Sequence, residues 1–135
     1  MGWIYAIGPS TGGAVKIGMV HRGTIAKRLS HLQIGHPQQL VLIAQAEHPN
    51  PQPQEIRIHY GLGAHRIRWD ENDFRRREWF LRTPEVETFI EILRGVQTPE
   101  DLETYVERLL GEVRCDLCLM AIDLQAPIRA AGGVG

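Results

Sequence analysis

Residues 3–18 read Trp3-Ile4-Tyr5-Ala6-Ile7-Gly8-Pro9-Ser10-Thr11-Gly12-Gly13-Ala14-Val15-Lys16-Ile17-Gly18. Trp3 to Ile7 and Ala14 to Val20 are apolar and β-prone, and turn-forming residues fill positions 8–13 between them. The pattern predicts an antiparallel hairpin whose connection is longer than the tightest turns. Strands joined in this way bring Tyr5 close to Lys16. A phenol beside an ammonium is one way to make a base, because a nearby cation favours the phenolate.

Downstream, Thr24 is a good N-cap and Ile25, Leu29 and Leu32 recur at helical spacing, which predicts a helix over 25–33. Gly35 closes it and Pro37 prevents its continuation. Leu40 to Ala46 is an apolar run and reads as a buried strand. The Pro-rich stretch His48 to Pro53 reads as a loop. A second helix is expected over 54–62, with Ile56, Tyr60 and Leu62 on its apolar side and Glu55 and His59 sharing another face. Residues 63–77 are polar and Arg-rich and read as a loop or short irregular strand, and Glu78-Trp79-Phe80-Leu81 as a return into the core. Thr83-Pro84-Glu85 and Thr98-Pro99-Glu100 each combine an N-cap, a proline at the first helical position and an acid near the helix dipole. Phe89, Ile92 and Leu93 serve the first of these helices. Leu102, Tyr105, Val106, Leu109 and Leu110 serve the second. The order β-β-α-β-α-α-α predicts an α+β fold: a small three-stranded antiparallel sheet flanked by helices, with a C-terminal helical extension. The division expected is a domain over 1–95, then an extension and frayed tail over 96–135.

A chain of 135 residues, 43% hydrophobic and 23% charged, can bury a core without staples. No apolar run approaches the roughly 20 residues of a membrane span, and the N-terminus has no signal-peptide pattern. A cytoplasmic protein with no membrane partner is expected. The net charge of −1 is uninformative, but its distribution is not. Residues 1–34 carry Lys16, Arg22, Lys27 and Arg28 and no acid, whereas 85–112 carry eight acids against two bases. A basic side facing a polyanion and an acidic helical back fit this segregation. The acidic helices could serve a homodimer or a protein partner. Cys115 and Cys118 have C-x-x-C spacing, but no His or Cys follows them, so the four ligands of a structural zinc site are not assembled.

Four features then occur in order: the triplet ending in Tyr5, the triplet Lys16-Ile17-Gly18, the helix carrying Lys27-Arg28-Leu29, and a later helix carrying Glu55 and His59, followed by Glu78-Trp79-Phe80. Together they resemble the GIY-YIG nuclease superfamily, in the branch of short domains whose second triplet reads KIG. The resemblance covers about residues 2–93. It implies a metal-dependent DNA endonuclease leaving 5′-phosphate and 3′-hydroxyl ends. The superfamily more often has tyrosine where Lys16 stands, and its late asparagine has no clear equivalent; Asn72 is nearby but is not assigned.

The implied roles agree with what hydrolysis of a phosphodiester needs: a base for water, positive charge for the transition state and help for the leaving oxygen. Tyr5 is the expected base with Lys16 as its activator. Arg28 would bind phosphate oxygens in two-pronged fashion. Glu55 would hold Mg²⁺ or Mn²⁺, which takes only one or two protein carboxylates. His59, one turn on, would orient Glu55 or sit near the metal. His31 could assist the phosphate or the water, and His21 is its rival. Glu78 is either a further acid of the site or a partner of Arg75–Arg77. Arg66, Arg68, Arg75, Arg76 and Arg77 could hold the DNA backbone, giving affinity without sequence reading. The alternative is a non-catalytic module that keeps the fold and binds nucleic acid or protein.

Overall fold

The computed structural model describes residues 1–67 and 78–113. Arg68, Asn72, Arg75, Arg76, Arg77, Cys115, Cys118 and the tail lie outside the described residues. The chain is α+β. Strands β1 (Gly2–Pro9), β2 (Ala14–Val20), β3 (Leu40–His48) and β4 (Trp79–Leu81) form one antiparallel sheet in the order β3-β1-β2-β4. Among the described residues the sheet therefore has four strands, not three. The return at Trp79–Leu81 adds a short strand along Ala14–Lys16 of β2.

Helices cover both faces. On one, Ile25, Leu29 and Leu32 of α1 (Ile25–Gln33) pack over Tyr5, Ile7, Val20, Leu40 and Trp79. The other carries the larger core, where Ile4, Ala6, Val15, Ile17, Ala44, Ala46 and Phe80 meet α2 (Pro51–Gly61), α3 (Pro84–Gly95) and α4, the helical residues 99–113. Leu102, Val106 and Leu110 of α4 lie in the same cluster as Phe89 and Leu93 of α3. The core thus runs across the boundary expected at residue 95.

The caps explain the helix starts. Thr24 Oγ1 accepts the Lys27 amide at 3.1 Å, and Thr83 Oγ1 accepts the Val86 amide at 3.3 Å. In the Pro-rich stretch read as a loop, Pro51 instead opens α2, because a proline in the first turn gives up only an amide that would have no helical partner. The buried face of α2 also differs from expectation. Pro51, Gln54, Ile58 and Gly61 face inward, while Ile56 and Tyr60 face solvent. The reason is close packing: a Cβ on Gly61 would meet the Leu109 side chain at 2.6 Å, so the missing side chain is what seats α4 against α2. In β3 the register to β1 slips at Ala6/Ile7, leaving Ile43 as an extra residue whose carbonyl accepts Arg94 Nε at 3.1 Å. Among the described residues no helix is long and apolar enough to cross a membrane.

Two neighbouring isoleucines of α2 should behave oppositely in urea unfolding. Ile58→Ala, fully buried, should cost about 2–5 kcal/mol, and Ile56→Ala, 60% exposed, no more than about 0.5 kcal/mol.

Candidate active site

β4 pairs with Ala14–Lys16, and among the described residues no strand lies along the outer edge of β2 beyond Lys16. Side chains of α2 occupy it. His59 Nε2 donates to the Ile17 carbonyl at 2.7 Å, and the Glu55 carboxylate accepts the Met19 amide. A carbonyl can only accept, so Nε2 carries the proton in the neutral ring. Burial holds the His59 pKa below its ordinary value. His59 is thereby committed to the β2 backbone, packs its ring against Phe80 at 5.4 Å, and does not supply the expected hydrogen bond to Glu55. It holds α2 in place.

Tyr5 stands opposite Gly18. A Cβ at Gly18 would lie 2.4 Å from the Tyr5 hydroxyl, so the phenol crosses over the glycine and uses the space a side chain would fill. The glycine of the second triplet is therefore a steric requirement of the tyrosine of the first. Tyr5 is fully buried, and Arg28 Nε donates to its hydroxyl at 3.1 Å.

Lys16, only 4% exposed, sits opposite Ile7 on β1 and Trp79 on β4, and its ammonium is paired with the Glu78 carboxylate. The expected pairing of Lys16 with Tyr5 is thus replaced by two others, Lys16 with Glu78 and Arg28 with Tyr5. Nor is the phenol activated as expected. Burial raises its pKa above the usual value of 10, against the lowering effect of Arg28, and the charges of Glu78 and Glu55 raise it further.

Glu55 is the most perturbed group of the cluster. Burial, then the nearby Glu78 charge, push its carboxyl up to about 7, despite the lowering effects of Lys16, the Met19 amide and Arg28. Tyr5, Lys16, Arg28, Glu55 and Glu78 thus form one electrostatic unit at the unfinished edge of β2. Glu55 and Glu78 offer hard oxygen donors, and a charge of opposite sign between them would relieve both the repulsion and the desolvation. No group of three or more His, Cys, Asp or Glu residues gathers among the described residues. The donor set fits a hydrated Mg²⁺ or Mn²⁺ held by one or two carboxylates, not a closed cage.

His31 is exposed; it lines a groove with Met19, Val20, His21, Arg22, Lys27 and Arg28. The two histidines, rivals in the sequence, share one surface. Arg66, expected to face DNA, turns inward: it donates to the His59 carbonyl at 3.3 Å and lies over the Phe80 ring at 5.6 Å. Glu78, which the sequence leaves between a further acid of the site and a partner of Arg75–Arg77, pairs with Lys16; Arg22 and Lys27, to which the sequence assigns no site role beyond the acid-free charge of residues 1–34, line the groove. Comparison with protein-family models, curated proteins and solved structures finds no match to this chain.

The Glu55 shift has a sign that can be measured. Its folded pKa of about 7 lies above the ordinary 4.5, so between these values the folded chain holds more protons than the unfolded one, and stability falls as pH rises. In EDTA, Glu55→Gln should raise the melting temperature at pH 8 and leave it nearly unchanged at pH 4. A gap that is the same at both pH values would count against a buried, repelled carboxylate.

Proposed function

We propose that this chain is a metal-dependent DNA endonuclease of the GIY-YIG type, hydrolysing phosphodiester bonds. The observation that carries the reading is the gathering of a phenol, a guanidinium, an ammonium and two carboxylates at the edge of β2, with Glu55 poorly tolerated as a bare anion.

On this reading Glu55, with Glu78 beside it, would hold Mg²⁺ or Mn²⁺, which would supply positive charge for the phosphate oxygens and the departing oxygen. Arg28 reaches the phosphate from the Tyr5 hydroxyl, on which its Nε already rests, and its remaining N–H groups can bind two oxygens. Once Arg28 turns to the phosphate, the hydroxyl is uncovered; Tyr5 first gives its own proton to solvent, and the phenolate so formed takes the proton of the attacking water and returns to the phenol. Lys16 does not move a proton. Its ammonium, paired with the Glu78 carboxylate, holds that group in place and opposes the rise of the Glu55 pKa. His59 keeps α2, and with it Glu55, in register with β2.

A specific observation favours the second reading, a DNA-binding module without catalysis. Tyr5 has no exposed surface, and burial raises its pKa, which makes it a poor base as it stands. Supercoiled plasmid separates the two. With Mg²⁺, the parent should nick it; EDTA should abolish nicking; Tyr5→Phe and Glu55→Gln should each slow it by roughly 10²–10⁴-fold. Variants that nick as fast as the parent would remove the nuclease reading, and salt-sensitive binding without any nicking would favour the module.

A further inference from the structure

We propose that the groove between the β2–α1 turn and the exposed side of α1 is a second phosphate subsite, which holds the DNA backbone flanking the phosphate at Arg28. This rests on the nuclease reading for the identity of the strand. The groove, of roughly 330 Å³, is walled by His21, Arg22, Lys27, Arg28 and His31 together with residues of the turn, and no carboxylate lines it.

Partner choice is the main argument. The described cations elsewhere are engaged: Lys16 with Glu78, Arg57 with Glu107, Arg66 with the His59 carbonyl, Arg82 with Glu87, Arg94 with Glu91, and Arg108 over the Tyr105 ring. Arg22 and Lys27 are exposed and have no side-chain partner among the described residues. Two unpaired cations gathered in one acid-free concavity concentrate positive potential there. The first turn of α1 adds to it, since it carries no acid and its amide ends point toward the groove-forming turn. Lys27 and His31 are one helical turn apart, so both face the same side.

Continuity is the second argument. Arg28 belongs both to the groove wall and to the Tyr5 hydroxyl. A strand whose phosphate sits at Arg28 therefore has its neighbouring phosphates led toward Lys27 and Arg22. Contacts of this kind are made to phosphate and not to bases, so the subsite adds affinity and register without sequence preference.

The test measures binding of a short fluorescent duplex by anisotropy in EDTA, across a salt series. Arg22→Gln and Lys27→Gln should each weaken binding roughly 3–10-fold near physiological salt and reduce the slope of log K against log salt by about 1. Arg108→Gln removes the same charge outside the groove and should change affinity less than about twofold. Circular dichroism confirms that each variant is folded. Groove variants that bind as the parent does, an equal loss in Arg108→Gln, or a parent that binds no duplex would each overturn the subsite. A parent that binds through the groove yet never nicks keeps the subsite and removes the nuclease reading. A parent that nicks while the groove variants bind normally removes the subsite alone.

Discussion

The shortness of β4 is the constraint from which the rest follows. A three-residue strand satisfies β2 only as far as Lys16, and the edge beyond it carries backbone groups that need partners. A helix approaching that edge must bring one donor for a carbonyl and one acceptor for an amide. α2 brings His59 and Glu55, one turn apart, to Ile17 and Met19. The requirement fixes the rotation of α2 about its own axis. Together with the close packing of Gly61 against Leu109, it explains why Gln54 and Ile58 face inward while Ile56 and Tyr60 do not. It also draws a carboxylate into a half-buried position beside another.

Charge is therefore concentrated where the sheet is unfinished. Lys16 and Glu78 satisfy each other, and pairs of this kind are tolerated at depth because neither charge is left alone. Among the described residues Glu55 has no such dedicated cation, and burial raises its pKa toward neutrality. The same environment acts in the opposite chemical sense on His59, a base, whose charged form is disfavoured. The cluster combines an ammonium paired with a carboxylate, a guanidinium resting on the phenol and a second carboxyl whose pKa is raised to about 7.

Local signals made much of the architecture legible in the sequence. The hairpin, α1, and the starts of α3 and α4 follow from turn residues, caps and apolar spacing over a few positions. What escaped was set by distance or by what a glycine leaves empty. β4 is too short for an alternation to be seen. The inward face of α2 is built on Gln54 and Gly61, which hydrophobic periodicity does not mark, while its outward face carries Ile56 and Tyr60. Tyr5, Lys16, Arg28 and Glu55 do come together, as their order implied, but their pairing was not legible. The partner of Lys16 lies 62 positions away, and the phenol's partner sits on a helix packed over the opposite face from α2.

The slip in β3 has a consequence for how copies of this chain meet. β3 is the rim of the sheet on the side away from β4. A straight rim offers an evenly spaced ladder that another strand can join. Here the extra residue Ile43 breaks the spacing midway, and Arg94 already occupies its carbonyl. An incoming strand can match the ladder on one side of the break but not on both. A break in spacing with its carbonyl already taken disfavours the addition of a further strand along this rim, and it is made by a single inserted residue and one guanidinium.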